Sequence, residues 1–542
     1  MLYGKQRQKN TQKNLHNYWK REEFTMLSQF KTRNVIFGPP GTGKTTFLLS
    51  ILEQAVKEEI PLCEIGYMSF TRSAVGEAKA RAKVILAQAK EKDFTYFTTL
   101  HSLCFRLLNL NKEQVINFGG NNKWANQFCK EMGYNINSYL NSVDETTIIS
   151  KDDRMCLAEQ KARNLCISIE DFYMDYDDRE FTLPELVLYR EALTKFKKTH
   201  GLYDFADMLE NVANTDIFIP HLQQLFIDET QDLADLQWKV VWKLINNADQ
   251  VYIAGDDDQA IYTFAGASPV PLVSLGNDKA WNKIVLGKSY RVPKLIQQVA
   301  FNTLNRIPEE ERIVKEWSPR EESGNVHSIR SILELRDEIC EGKWGILGRT
   351  NYIVRHFTKD LYKMGVRFTY GNDHDSVNKK QLEAIMTYES LRQGKQIHRN
   401  KLVILNDYII NFRTYLDAIP YDFVQLSHFP TRVYHTLEET PWYDAFSESK
   451  IPQYQKQYYR ELLANNESLT GEPRIECLTM HASKGKEWDN VIIIYDISEA
   501  TMRSLVKTPG DEYRVLYVGE TRAKQNLYRV IPSTQTHYPF VY

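Results

Sequence analysis

The feature that most restricts the fold is the stretch Phe37-Gly38-Pro39-Pro40-Gly41-Thr42-Gly43-Lys44-Thr45-Thr46, which reads G-x-x-x-x-G-K-T. The apolar segment Asn34-Val35-Ile36-Phe37 precedes it with strand character, and Phe47-Leu48-Leu49-Ser50-Ile51-Leu52 follows at helical spacing. Strand, glycine loop and helix in that order are the context a phosphate-binding loop requires. Gly38, Gly41 and Gly43 let backbone N–H groups turn inward around an anion, and the positive end of the new helix faces the same anion. Lys44 can reach the outer phosphates, and the Thr45 hydroxyl can hold Mg²⁺. A glycine turn that merely happens to precede a helix is the weaker reading, because Lys-Thr stands in place. The stretch predicts a nucleoside-triphosphate site on an α/β sheet.

A chain of 542 residues is too long for one core, so three or four domains are expected. The formal charge of −2 gives no nucleic-acid signal for the whole molecule, so any basic surface must be local. One such stretch exists in residues 1–33, where Lys5, Arg7, Lys9, Lys13, Lys20, Arg21, Lys31 and Arg33 face only Glu22 and Glu23. It reads either as a solvated leader or as a contact for a phosphate backbone. The cysteines are scattered without a C-x-x-C pair, which argues against disulfides and against zinc or iron–sulfur sites and fits a reducing cytosol. No apolar run approaches the roughly 18 residues of a membrane span. A soluble, cytoplasmic protein without a membrane partner is expected.

Further along, apolar runs end in polar groups. Ile65-Gly66-Tyr67-Met68-Ser69-Phe70-Thr71-Arg72 and Tyr96-Phe97-Thr98-Thr99-Leu100-His101 read as strands with hydroxyls at their tips, where α/β sheets place ligands. Residues of about 105–200 change to helical patterning. Sheet character returns at Leu225-Phe226-Ile227-Asp228-Glu229, a buried strand delivering two carboxylates to its end. Asp228 suits Mg²⁺, a hard ion that takes one or two carboxylates and keeps its waters. Glu229 can polarise an attacking water as general base. Val251-Tyr252-Ile253-Ala254-Gly255-Asp256-Asp257-Asp258-Gln259 repeats the pattern, and the Gln259 amide, both donor and acceptor, suits a γ-phosphate sensor. Tyr262 and Phe264 follow closely. They can stack on unpaired bases, at ~1–3 kcal/mol each, or belong to the core.

In this order the motifs resemble those of the UvrD/Rep/PcrA family of superfamily 1 helicases. Leu286-Gly287-Lys288-Ser289-Tyr290-Arg291 is similar to the family's N-Y-R motif, and Gly348-Arg349-Thr350-Asn351 to its R-x-N strand. Thr479-Met480-His481-Ala482-Ser483-Lys484-Gly485-Lys486-Glu487 is similar to T-x-H-x-x-K-G-x-E, and Tyr513 to Lys524 to the R-L-x-Y-V-x-x-T-R-A motif. The resemblance runs from about residue 34 to 530. It implies that Gly38 to Thr46 bind ATP with Mg²⁺, that Tyr290 stacks on the adenine, and that Arg291 and Arg522 contact the γ-phosphate, Arg522 from the other core domain. Gly485 and Glu487 would sit near the ribose and phosphates. Phe70, Thr71, Thr99, His101, Arg349, Asn351 and His481 would line a single-strand path. Departures are the absence of a clear glutamine motif (Gln29 is nearest), Phe264-Ala265-Gly266 for W-R-G, Ser289 for asparagine and Lys486 for leucine. Tyr538 is a candidate aromatic for a strand-separation hairpin.

The implied fold is α/β, two RecA-like P-loop NTPase core domains, each with an inserted, mainly helical subdomain. The boundaries read from the sequence are a basic leader at 1–33 and a first core at 34–104 and 200–272, with a helical insertion at 105–199. A second core covers 273–374 and 471–542, and a short accessory domain lies at 375–470. ATP would bind between the cores, and cleft motion would step the chain 3′→5′ along DNA. The implied enzyme is an ATP-dependent DNA helicase, acting as monomer or weak dimer on single-stranded and partly duplex DNA, with replication or repair proteins as partners in a bacterial or phage-infected cell. The alternative is a translocase or ATP-gated switch that remodels nucleoprotein complexes without processive unwinding. No room for a fused nuclease is expected after the last motif.

Overall fold

The structure is a computed structural model that describes residues 32–540 apart from 70–71, 138–149, 177–179, 372–373 and 470. Most of the basic leader, Gln29, Phe70 and Thr71 therefore lie outside the described residues. The chain divides into two compact units, one of residues 1–324 with 503–521 and one of residues 325–502 with 522–542.

The first unit is built on a six-stranded sheet in the order β3-β2-β4-β5-β1-β6. Its strands are β1 (Arg33–Phe37), β2 (Ile65–Met68), β3 (Phe97–Thr98), β4 (Leu222–Ile227), β5 (Ala248–Gly255) and β6 (Asn282–Val285), and all pairings are parallel. Parallel strands covered on both faces must be apolar nearly throughout. Val35, Ile36 and Phe37 of β1 are accordingly fully buried, as are Leu225 and Phe226 of β4 and Ile253 of β5. One face packs on the helices Phe205–Asn214 and Asp235–Asn246, the other on Lys44–Lys57.

Between β3 and β4 the helices Lys123–Met132, Lys151–Asn164, Ile169–Met174 and Leu183–His200 gather around a core of their own that includes Phe118, Phe128, Tyr189 and Phe196. Local signals start and stop them. The Asn122 side chain accepts from the N–H of Trp124 at 3.0 Å, and Gly133 closes that helix at φ 77°.

The second unit carries a seven-stranded sheet in the order β10-β9-β13-β8-β14-β15-β7. Its strands are β7 (Asn325–Ile329), β8 (Trp344–Gly348), β9 (Phe368–Tyr370), β10 (His374–Asp375), β13 (Ile475–Thr479), β14 (Trp488–Ile494) and β15 (Ala523–Val530), parallel except for β10. The short ribbon of β11 (Ile397–His398) and β12 (Phe423–Val424) belongs to the accessory region, whose helices enclose a separate core of Tyr388, Tyr408, Phe446 and Tyr459 among others. Both sheets are the parallel α/β cores expected.

One boundary differs from the sequence reading. Residues 273–324 and 503–521 belong to the first unit rather than the second core. The cause is β6, which pairs with β1 and so extends the first sheet, with the Leu286 N–H donating to Phe37 O at 2.9 Å. The helix Pro509–Glu520 then packs on Lys294–Leu304, where the buried Thr303 hydroxyl donates to Glu520 at 2.8 Å.

Candidate functional site

The glycine loop leaves β1 at Gly38, whose N–H donates to Gly255 O at 3.0 Å. Two of its glycines hold left-handed backbone, Gly41 at φ 72° and Gly43 at φ 79°. A Cβ at Gly38 would meet Lys44 Cβ at 2.6 Å, and one at Gly41 would meet Arg291 Cβ at 2.3 Å. Close approach thus requires glycine at both. Thr42 closes the turn through its hydroxyl on Pro39 O at 2.8 Å. Gly43 caps the helix Lys44–Lys57 without a side-chain hydrogen bond, and no acid stands in its first turn. A helix start left in this form suits an anion.

Lys44 and Thr45 face the tip of β4. Thr45 Oγ1 donates to Asp228 Oδ2 at 2.8 Å, and Lys44 Nζ lies 3.1 Å from Glu229 Oε2. The two lie two strands apart, with β5 between β1 and β4, so the sheet order sets the gap that the side chains span. Burial works against the Lys44 ammonium, yet Glu229, Asp228 and Asp256 around it outweigh this and hold its pKa above the usual lysine value. Burial pushes the Asp228 carboxyl up to about 6, with the neighbouring Glu229 adding to the shift. Glu229 itself has φ 57°, a left-handed conformation uncommon outside glycine and found disproportionately at functional sites. The donors Thr45 and Asp228 are hard oxygens, the set that fits Mg²⁺ completed by water and phosphate.

Gln259 and the β6 tip stand beside this pair. Gln259 Nε2 donates to Asp256 Oδ2 at 2.6 Å. Ser289 Oγ donates to Pro40 O at 2.7 Å, and the Tyr290 N–H to Gly41 O at 2.8 Å. The loop that carries Tyr290 and Arg291 is thereby fastened to the phosphate loop. Ser289, a mere departure from the family pattern in the sequence, is fully buried as that fastening.

The first-unit residues that the resemblance assigns to a single-strand path lie at another place. His101 packs edge-on against Phe205 at 5.4 Å, and Tyr262 lies 6.1 Å from Phe264. His101, Phe205 and Tyr262 border a cavity of about 240 Å³ that also takes in Glu159 and Asp204. Burial pushes His101 down to about 4 and Glu159 up to about 7, so His101 is neutral at pH 7. Thr99 is turned to Ser102, 2.9 Å away. Phe205 joins His101 and Tyr262 around this cavity. Its 43% exposure beside His101 marks it, and the only linear signal was an aromatic directly after a helix-capping aspartate. Asn164 Nδ2 donates to Ala265 O, and a Cβ at Gly266 would meet Asn164 Cβ at 2.8 Å, so the Phe264-Ala265-Gly266 turn is shaped to the insertion.

In the second unit, Arg349 and His481 reach adjacent tips of β8 and β13, but both are buried, at 2% and 7% exposure, rather than displayed to a strand. Asn351 is half-buried at the start of the helix Asn351–Met364, with Tyr352 beside it 80% exposed. Gly485, at φ 81°, ends a turn two residues before Glu487, which pairs with Lys524 at 2.6 Å. Arg522 is buried close by, and its backbone oxygen accepts from the Trp488 N–H at 3.2 Å. Tyr538 corrects an expectation. It is fully buried, its N–H on Tyr495 O, so its ring is not available to separate strands.

Comparison with known families decides the lineage. The family model of the UvrD/REP helicase N-terminal domain matches residues 19–280, and that of the UvrD-like helicase C-terminal domain matches residues 447–533. The chain belongs to the UvrD/Rep helicase family. Together the two matches cover more than half of this UvrD/Rep-family chain. A probable DNA helicase II homolog of Mycoplasma pneumoniae is 25% identical over 314 residues, covering 54% of the chain and 43% of that protein. The ATP-dependent DNA helicase PcrA of Leuconostoc citreum is 23% identical over 387 residues, 66% of the chain and 50% of the relative. The PcrA of Bacillus subtilis is 22% identical over 614 residues, 90% and 79%. The chain thus spans about half the length of the first two of these relatives. Among the described residues no helix is long and apolar enough to cross a membrane.

Proposed function

We propose that this UvrD/Rep-family chain hydrolyses ATP to move along single-stranded DNA, 3′→5′, and so unwinds duplex DNA. The supporting observation is the pairing of Lys44 and Thr45, from one loop, with Glu229 and Asp228, from the next acidic strand tip. Lys44 would leave Glu229 for the outer phosphates, releasing the carboxylate to orient and deprotonate the attacking water. Thr45 and Asp228 would hold Mg²⁺, which neutralises phosphate charge when bound. Tyr290 and Arg291 would take the adenine and the γ-phosphate, beside the loop to which Ser289 fastens them. Gln259 would sense the γ-phosphate. Gly485, Glu487 and Arg522 of the second unit are proposed to serve the same reaction, and Arg522→Ala lowering kcat would support that role.

The DNA strand is proposed to pass Thr99, His101, Tyr262 and Phe264, with Phe205 added, and to touch Asn351 in the second unit. Phe70 and Thr71 stay in the proposal through the family resemblance. With His101 neutral, these contacts would be stacking and hydrogen bonding rather than charge. Lys44→Ala and Glu229→Gln should each abolish DNA-stimulated ATP hydrolysis with the fold retained. Wild-type turnover in either variant overturns the assignment.

A further inference from the structure

A buried polar chain connects the hydrolysis residues to the sensor loop. Gln231, fully buried in the short helical turn after Glu229, uses both ends of its amide. Its Nε2 donates to Glu229 Oε2, the same oxygen that Lys44 holds, and its Oε1 accepts the Asp256 N–H at 3.0 Å. The orientation of the amide is fixed by chemistry, since a carboxylate can only accept and a backbone N–H can only donate. The approach is possible because residue 255 is glycine. A Cβ there would meet Gln231 Oε1 at 2.9 Å and Thr230 Oγ1 at 2.8 Å.

Asp256 is itself a fixed point. Its side chain takes Gln259 Nε2 at 2.6 Å and Lys315 Nζ at 2.9 Å. Lys315, buried, also pairs with Asp258 at 2.9 Å and with Asp257, while Arg312 grips Asp258 with two hydrogen bonds of 2.7 Å. Arg514 donates to Asp257 O at 2.9 Å. Three buried carboxylates are thus held in place by Lys315 and Arg312, so the root of the Gln259 loop cannot drift independently.

We propose that Gln231 is a positioning residue for ATP hydrolysis: one end of its amide aims the Glu229 carboxylate, and the other locks it to Asp256, so that base and sensor move as one piece. The proposal rests on the hydrolysis reading given above. When Lys44 turns to a phosphate, Gln231 still donates to the Glu229 carboxylate. A group acting through Glu229 should affect turnover and leave nucleotide and DNA binding alone.

The test compares wild type with Gln231→Met, which keeps the volume and loses both hydrogen bonds, and with Gln231→Glu, which keeps the acceptor for Asp256 and loses the donor to Glu229. Steady-state ATP hydrolysis is measured with saturating single-stranded DNA, alongside ATP KM, DNA affinity and the urea midpoint. The expected result is a kcat lower by roughly 10–100-fold in both variants, as for misplacement of a catalytic group by about 1 Å, with KM and DNA affinity unchanged. Wild-type kcat in either variant overturns the proposal, and so does a kcat loss that tracks a lower urea midpoint and a raised KM. If Gln231→Met does not fold, Gln231→Glu decides by the same criteria. Lys44→Ala separates the two levels. Active Gln231 variants beside a dead Lys44→Ala refute only the Gln231 role, whereas an active Lys44→Ala refutes the hydrolysis site itself.

Discussion

Glu229→Gln keeps the shape of the side chain and removes the charge that the proposed base role requires. The backbone at φ 57° treats the two residues alike. In the structure Glu229 Oε2 accepts from Lys44 Nζ at 3.1 Å and from Gln231 Nε2. Hydrogen bonds to a charged group contribute about 1.5–3 kcal/mol each, but this side chain is 32% exposed and solvent screens part of that. Stability should therefore fall by no more than about 1–3 kcal/mol. Loss of a general base costs about 10²–10⁴ in rate, or roughly 3–5 kcal/mol of barrier. ATP affinity should hold or tighten, because Lys44 no longer has a carboxylate competing with the phosphates. The assay is DNA-stimulated ATP hydrolysis with saturating DNA, read beside equilibrium binding of labelled ATP and a urea titration. Turnover within about threefold of wild type, with ATP still bound, would refute the base assignment. Weakened ATP binding together with a collapsed urea midpoint would show that Glu229 is structural instead.

Three further outcomes are expected. Gly41→Ala places a Cβ 2.3 Å from Arg291 Cβ at a left-handed position, so ATP affinity measured by equilibrium binding should fall by at least about tenfold, ~1.4 kcal/mol. Arg163 is buried among Glu159, Asp204, Asp207 and Glu210; Lys197 keeps Asp204 and Asp207 paired without it, but Arg163→Met takes the arginine from buried Glu159 and from Glu210 and should lower the unfolding free energy in urea by up to about 3–5 kcal/mol. His101, pushed down to about 4 from an ordinary value of 6.5, is protonated more readily in the unfolded chain, so its contribution is intact above pH 6.5 and is lost as pH falls toward 4. Urea titrations of wild type and His101→Gln across that window should show a steeper acid loss in wild type, by no more than about 3 kcal/mol at 1.36 per pKa unit.

The parallel cores were legible because buried strands write long apolar runs and their polar tips stand out against them. Gly38, Gly41, Lys44, Thr45, Asp228 and Glu229 could be read as neighbours from spacing and chemistry alone. Gln231 could not. Its importance comes from Asp256, twenty-five residues on, through a contact between β4 and β5 tips that no local pattern announces. Ser289 was hidden for a similar reason, since a small hydroxyl carries meaning only once Pro40 O is seen beside it. The domain boundary slipped at β6, whose four residues, Asn282–Val285, are too short and mixed to declare which sheet they join. Tyr538 failed the other way. An aromatic near the end of the chain looks available for stacking, but the residues that bury it, among them those around Tyr495, are distant in sequence. Arg349 and His481 show the same limit, because a motif fixes identity and leaves exposure open.

The most direct test of the central claim is strand displacement from two partial duplexes that differ only in carrying a 3′ or a 5′ single-stranded tail. ATP-dependent displacement of the 3′-tailed substrate, absent from the 5′-tailed one and abolished by Lys44→Ala, is the predicted result. Displacement of the 5′-tailed substrate alone, or none on either tail while DNA-stimulated ATP hydrolysis proceeds, would contradict it.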